Sequence, residues 1–306
     1  MTFKELLKQG VADLTNNAQW VLDGDDPLKT ARQLLIGLLN WQPIDVWKHG
    51  EEEANPDIIT KFKDSILRYS CGEPMAYILG HTWFYGLKIA VGKGVLIPRP
   101  DTELLVSKGV EALRLLADKM ATLWIPNVLE LCTGSACISL ALRKLWGRPI
   151  RIIATDLSSE ALMYAKRNIS IHDADQEIDL YQGDLFAALP NEVNPNDKMF
   201  SGFDLILANP PYIQSEILKT LEKGVKDYEP RIALDGGNDG LNIYRRICSE
   251  SALHLKPGGY LLLEHGYDQK IQLLEMFKKN RAFINITDEQ DLSGRDRVLQ
   301  AIKRDD

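Results

Sequence analysis

Cysteine is scarce in this chain. Cys71, Cys132, Cys137 and Cys248 are the four in 306 residues. No two are spaced as C-x-x-C and no histidine stands at zinc-ligand spacing from them, which argues against a zinc site. So few cysteines in a chain this long fit a reducing compartment. Basic residues are also in the minority: 36 Lys and Arg face 43 Asp and Glu, for a net charge of −7. That disfavours a protein whose affinity comes mainly from neutralising nucleic-acid phosphates, although it leaves room for a local basic patch. No run approaches the roughly 18 apolar residues of a membrane span. The start, MTFKELLKQGVADL, lacks the apolar centre of a signal peptide and is not rich in Arg and Ser, so neither a signal nor a transit peptide is expected. A cytoplasmic protein is the default expectation. No internal repeat and no low-complexity tract stands out.

What is present is ordinary globular material. Hydrophobic residues make up 45% and charged residues 26%, enough apolar mass for a sizeable core. The length predicts about two domains at roughly 100–200 residues each. Residues 1–75 carry helical periodicity, with Phe3, Leu6, Leu7, Val11 and Leu14 on one stripe. Asp26–Pro27 and Asn55–Pro56 read as N-caps followed by a first turn, and Gly72 as a stop. Residues 76–97 are aromatic, β-branched and broken by Gly80, Gly86, Gly92 and Gly94, which predicts one or two hairpins. PRPDTELLVSKGVEALRLLADKM then predicts a helix. From residue 127 strands and helices alternate, which predicts a parallel sheet with helices on both faces. AFINITDEQ and DRVLQAIK, joined by DLSGR, predict an antiparallel hairpin at the end, and LPNEVNPNDKMFSG reads as a surface loop.

Four strand ends carry candidate chemistry. In LELCTGSACIS the first strand meets a helix through Thr133, Gly134 and Ser135, residues small enough for a ligand to approach the backbone. The stretch is not G-x-G-x-x-G, and a plain strand–turn–helix junction is an equal reading. Asp156 ends the second strand roughly 20 residues later, where a carboxylate can accept both hydroxyls of a ribose; the alternative is a cap for the next helix, with Ser158 or Ser159 in competition. Together the two favour a nucleoside ligand. Asp184 ends the third strand. It can meet an adenine amino group, with Leu185 and Phe186 over the ring, or cap a short helix. LILANPPYI stops the fourth strand on Asn209, Pro210, Pro211 and Tyr212. Two prolines cannot continue a sheet because they donate no N–H. The Asn209 side-chain oxygen and the Pro210 carbonyl are acceptors, and a planar NH₂ group has two donors to match. Tyr212 can stack on a flat amide or base.

With these residues in place the chain resembles the class I, S-adenosylmethionine-dependent methyltransferases, and among them the HemK/PrmC family of protein glutamine methyltransferases. The resemblance runs through residues 74–302, in EPMAYILGHTWFYGLKIAV, VLIPRPDTELLV, VLELCTGSACISLAL, NPPYI, EPRIALDGGNDGLNIYRRI, PGGYLLLEHG and DLSGRDRVLQA. NPPY is shared with enzymes that methylate amino groups of DNA adenine and RNA; LIPRPDTE joined to NPPY is more specific. The resemblance implies an α/β, Rossmann-like sheet with a C-terminal antiparallel hairpin. It implies a helical substrate-recognition domain at 1–75, a β-hairpin linker at 76–98 and a catalytic domain at 99–306. S-adenosylmethionine would be held by Cys132, Thr133, Gly134, Ser135, Ala136, Asp156, Asp184, Leu185 and Asn209. The acceptor, the glutamine of a Gly-Gly-Gln loop in peptide chain release factors, would meet Asn209, Pro210, Pro211 and Tyr212, with Asn209, Pro210 and Tyr212 acting in the transfer. No metal, no direct nucleic-acid binding and no membrane association are expected.

The chain departs from the family pattern at Cys132 and Ala136, where glycine is usual. The Ala136 methyl is expected to lie close to the cofactor, and glycine there to cost stability through added backbone freedom. The Cys132 and Cys137 pair also resembles the sister group that methylates a large-subunit ribosomal protein, while LIPRPDTE and SGRDRV resemble the release-factor branch. Arg99 and Glu103 are expected near the site or in a structural ion pair, and His265 as a polar strand terminus rather than a base. A nucleic-acid amino methyltransferase and a catalytically silent adapter are the competing classes; the net charge disfavours the first and an intact NPPY the second.

Overall fold

A computed structural model of the chain describes residues 1–16, 26–120, 123–191 and 202–305; most of the loop expected at 189–202 lies outside them. The chain divides into two compact units. The first comprises Met1–His81 together with Glu222–Tyr228, and the second Thr82–Leu221 with Glu229–Asp306.

The first unit is helical: α1 (Phe3–Asn16), α2 (Pro27–Leu39), α3 (Pro43–Lys48), α4 (Pro56–Ser70) and α5 (Met75–Leu79), joined by the short helix Lys223–Lys226, α9 in chain order. The caps follow the sequence. The Asp26 side chain accepts from Leu28 N and the Asn55 side chain from Asp57 N, each ahead of a proline in the first turn. Phe3, Leu6 and Leu14 are buried against Leu34, Leu35, Phe62 and Ile66, with Leu7 and Val11 at the edge of the same cluster. The chain departs from the sequence expectation at residues 76–79, which are helical and do not open a hairpin. Ile78 and Leu79 pack into the bundle core, and Gly80 in the left-handed region ends the turn. Burial of these two side chains outweighs the local strand propensity of Tyr77 and Ile78. One hairpin follows: β1 (His81–Phe84) and β2 (Leu87–Ala90), turned by Tyr85 and Gly86, both at positive φ as a two-residue turn of this hand requires.

The second unit holds α6 (Glu103–Ala117), β3 (Asn127–Leu131), α7 (Cys137–Trp146), β4 (Arg151–Asp156), α8 (Ser159–Ile171), β5 (Ile178–Gln182) and β6 (Phe203–Ala208). It continues with α10 (Asn242–His254), β7 (Leu255–Glu264), α11 (Lys270–Lys279), β8 (Phe283–Gln290) and β9 (Asp296–Lys303). The seven-stranded sheet has the order β5-β4-β3-β6-β7-β9-β8. β3, β4, β5, β6 and β7 pair in parallel, and β9 pairs antiparallel with both β7 and β8. All six residues of β6 are buried, as a central strand covered on both faces must be. On one face Leu129, Ile206, Leu261 and Leu299 meet Tyr244 and Ile247 of α10 and Leu273 and Phe277 of α11. On the other, Gly109 lets α6 approach β6: a Cβ there would lie 3.2 Å from Leu207 Cδ2 and 3.1 Å from Leu142 Cδ1. Among the described residues no helix is long and apolar enough to cross a membrane, and no cluster of His, Cys, Asp and Glu is arranged to hold a metal ion.

Asn168 of α8 joins two segments that frame the rim. Its fully buried carboxamide accepts from Ala90 N at 2.7 Å and donates to Ala90 O and Ser135 O at 3.0 Å each. Asn168→Ala is expected to leave three buried backbone groups unpaired and to cost about 3 kcal/mol or more. Urea denaturation measures this, and a loss below about 1 kcal/mol would show that the tether is dispensable.

Candidate active site

The strand order reverses between β3 and β6, and in an open α/β sheet a ligand crevice lies outside the carboxyl ends of the strands at such a point. A cavity of about 510 Å³ occupies that place. Its wall includes Cys132, Thr133, Gly134 and Ser135 after β3, Asp156 at the end of β4, Asp184 and Leu185 after β5, and Asn209 and Pro211 after β6. Residues from all four strand ends singled out in the sequence therefore meet at one cavity.

Asp156 is the hinge of the first half of the wall. One carboxylate oxygen accepts from Gly134 N and the other from Ser158 N, each at 2.8 Å. It ties the glycine turn to β4 and supports the start of α8, where Ser158 is the N-cap through its bond from Ala161 N. Each carboxylate oxygen retains acceptor capacity for a ribose hydroxyl. Burial raises the Asp156 pKa, and the bonds from Ser158 N and Gly134 N oppose the rise. Asp184 lies two residues past the end of β5, because Gly183 N turns back to Asp156 O at 3.0 Å. It pairs with Arg246 at 2.9 Å while lining the cavity. Leu185 reaches the wall; Phe186 does not, and stacks on His254 at 4.5 Å in the core.

The two positions where the chain carries no glycine have a physical signature. Cys132 has φ 56° and Ala136 φ 61°, left-handed values that glycine adopts without steric cost. The expectation that the Ala136 methyl lies close to the cofactor is corrected here. Ala136 is fully buried and is not on the cavity wall. The left-handed backbone at Ala136 argues against the expected stability cost of glycine there, since glycine favours that conformation. Cys132 does line the cavity, and burial followed by the charge of Asp156 raises its thiol pKa. Beneath the loop Glu130 is fully buried, accepts from Ser139 N at 3.0 Å, and is pushed up to about 7 by burial.

The NPPY residues divide. Asn209 and Pro211 line the cavity; Pro210 is buried behind them, and Tyr212 packs at the edge of the core. The Tyr212 carbonyl accepts from Gln269 Nε2 at 3.0 Å, and burial pushes its hydroxyl up to about 12. Asn209 Nδ2 donates to Thr102 Oγ1 at 3.2 Å. Arg99 lies on the wall, paired with the buried Glu229, whose other oxygen accepts from Ile97 N at 3.2 Å. Glu103 serves the hairpin instead, accepting from Tyr85 N at 2.9 Å. Both ring nitrogens of His265 are occupied away from the cavity, by Asp288 at 2.7 Å and the Gly266 carbonyl at 2.9 Å. Sequence reasoning missed Thr102 and the stretch from Pro230 to Ala233, which line the cavity, and Glu229, which pairs with Arg99 of the wall. Their signal was present in LIPRPDTE and EPRIALDGG, but only the fold shows which residues of those motifs face the cavity.

The donor and acceptor set suits a nucleoside-bearing cofactor. Asp156 offers acceptors at the strand end, Leu185 an apolar cover, and Thr155 Oγ1 is buried on the wall without a hydrogen-bond partner.

Comparison with known proteins agrees with this geometry. Residues 5–80 match the PrmC N-terminal domain and residues 126–303 a methyltransferase domain. The chain is 36% identical over 266 residues to the release factor glutamine methyltransferase of Geobacter sulfurreducens, covering 87% of this chain and 86% of that protein. It is 35% identical over 280 residues to the protein of the same name from Caulobacter vibrioides, covering 91% and 90%. Among solved structures, the delta-N METTL16 methyltransferase domain superposes with a TM-score of 0.53 at 18% identity, covering 80% of this chain and 98% of that one. The N-terminal domain of human METTL16 in complex with SAH gives 0.51 at 17% identity, covering 84% and 86%. These two share the fold.

Ala136→Gly tests the strain directly. The variant is expected to gain about 1 kcal/mol, the scale for releasing an L-residue from the left-handed region. Cofactor affinity should stay the same, because the methyl is off the wall. Chemical denaturation and calorimetry measure both; a destabilised variant would show that the Ala136 methyl packs well enough to outweigh its backbone.

Proposed function

The chain belongs to the family of release factor glutamine methyltransferases and is an S-adenosylmethionine-dependent methyltransferase, and we propose that Asn209 holds the acceptor amide at its active site. The reaction moves a methyl group from S-adenosylmethionine to the side-chain nitrogen of a release-factor glutamine, in our reading the glutamine of a Gly-Gly-Gln loop. The observation that carries the assignment is the place of Asn209: on the cavity wall, on the same rim as Asp156, with its nitrogen already committed to Thr102.

The cofactor supplies an electrophilic methyl group on a sulfonium. Asp156 takes the ribose hydroxyls, Asp184 and Leu185 the adenine, and the Cys132–Ala136 turn carries the rest, with Ala136 acting through the backbone. An amide nitrogen is a weak nucleophile because its lone pair is delocalised into the carbonyl. Asn209 Oδ1 and the Pro210 carbonyl would accept its two N–H bonds, push density onto nitrogen and orient it for transfer. Pro211 and Tyr212 frame that fork. Positioning of this kind contributes several kcal/mol without a strong base. The methylated nitrogen is strongly acidic until it loses a proton, so water suffices to accept it.

The helical residues 1–75 are assigned to recognition of the protein substrate, 76–98 to a linker and 99–306 to catalysis. We place the reaction in the cytoplasm; four cysteines, all free, support a reducing compartment.

Two substitutions test the assignment. Asp156→Ala is expected to weaken cofactor binding by about 1–3 kcal/mol in calorimetry, and unchanged affinity in a folded variant would remove Asp156 from the site. Asn209→Ala is expected to slow single-turnover transfer by about 10²-fold or more with a much smaller change in cofactor affinity. Ribosomal protein, RNA and DNA serve as alternative acceptors in the same assay. Near-normal turnover of Asn209→Ala would sink the fork, and equal loss of both properties would make Asn209 a cofactor ligand.

A further inference from the structure

A carboxamide can face a site with its oxygen or with its nitrogen, and the two choices have opposite consequences for an acceptor that itself offers N–H groups. Asn209 presents its nitrogen to Thr102 Oγ1 at 3.2 Å. Thr102 is 2% exposed and stands just before α6, in the PRPDTE stretch. Glu264, 1% exposed at the end of β7, lies against the same hydroxyl, and its Oε2 has no hydrogen-bond partner. A hydroxyl has one proton to give. A carboxylate only accepts, so a Thr102 proton turned toward Glu264 leaves the hydroxyl its lone pairs for Asn209. An unpaired buried carboxylate oxygen is costly, which drives the arrangement.

We propose that Thr102 and Glu264 are positioning residues that fix the Asn209 carboxamide with its oxygen toward the acceptor. The proposal rests on the assignment of Asn209 to the acceptor amide. Reversal of the chain reverses the site. If Glu264 carries a proton it can donate to Thr102; the Thr102 proton then turns toward Asn209, which must rotate to accept it and offers its nitrogen to the substrate. The Asn209 N–H then faces an N–H of the acceptor, and that arm of the fork repels the amide. Burial pushes Glu264 up to about 7, against the Thr102 hydroxyl, so this proton is exchanged near neutral pH. The other groups that face Glu264 are Asp101 ahead of α6, Arg297 of β9, His265 after β7 and Tyr244 of α10, whose hydroxyl donates to the Glu264 carbonyl at 2.7 Å, with Tyr212 and Cys137 of α7 also acting on it by charge. Arg297 and His265 favour the ionised carboxylate and Asp101 opposes it.

The test compares Thr102→Val, Thr102→Ser, Glu264→Gln and Asn209→Ala, with single-turnover transfer to a release factor and calorimetric cofactor binding on each. Thr102→Val keeps the shape and removes the hydroxyl. It is expected to slow transfer about tenfold or more at unchanged cofactor affinity, and Thr102→Ser to restore most of the rate. The wild-type rate should fall as pH drops through about 7, and Glu264→Gln, which cannot titrate, should lose that fall. Thr102→Val with the wild-type rate, Thr102→Ser as slow as Thr102→Val, or a Glu264→Gln profile identical to wild type would each overturn the proposal. If Asn209→Ala is inactive while Thr102→Val is normal, only the positioning chain fails. If Asn209→Ala itself turns over normally, the assignment of Asn209 fails first.

Discussion

The constraint on which the site depends is the parallel pairing of β3 with β4 on one side and β6 on the other. Val128 to Leu131 are in register with Ile152 to Thr155 and with Leu205 to Ala208, so the three strands end at one level. Parallel strands need crossovers, and the crossovers place α7, α8 and α10 over the faces of the sheet. What remains uncovered is the carboxyl edge. A slip of one residue in either pairing would turn every side chain to the other face and carry Asp156 or Asn209 away from the glycine turn.

Around that edge the backbone is held in conformations that its residues do not favour. Cys132, Ala136 and Leu185 are non-glycine residues at positive φ. Hydrogen bonds hold the Cys132–Ala136 turn: Thr133 N to Thr155 O and Ala136 N to Thr133 O, both 2.9 Å, and Gly134 N to Asp156. Asn168 adds its bond to Ser135 O from below. Strain of this kind persists only where surrounding structure over-determines it. Asp156 thus does two things with one carboxylate: it shapes the turn and offers acceptors to what binds there.

The same edge is rich in buried charge. Arg297, 5% exposed, reaches Asp101 at 3.1 Å, Asp291 at 3.4 Å and the His265 carbonyl at 3.3 Å. His265 meets Asp288 of β8. Buried ions are tolerated only when several partners share the desolvation cost, and here the partners come from the start of α6, the end of β7 and the C-terminal hairpin. The motifs PRPDTE, EHG and SGRDR are far apart in sequence and meet in this network. Thr102 and Glu264 belong to the first two of these motifs.

Sequence alone determined much of this protein. Alternating apolar runs and caps specified the β–α order, because hydrophobic period and capping chemistry are local. Strand ends are likewise local, and parallel pairing brings strand ends together, so Gly134, Asp156, Asp184 and Asn209 were legible as one group before any coordinates. The misreadings came where tertiary contact overrides local preference. Residues 76–79 look like strand and are helix, since Ile78 and Leu79 find a bundle core to fill. Ala136 looks like a ligand contact, but side-chain direction depends on a φ that the sequence does not display. Thr102, Glu229 and Glu264 lay in motifs that stood out, but nothing in those motifs marked them as site-forming residues. Their roles arise from contacts between segments more than 50 residues apart, as Asn209 to Thr102 is 107 residues, and separations of that kind are decided only when the chain is folded.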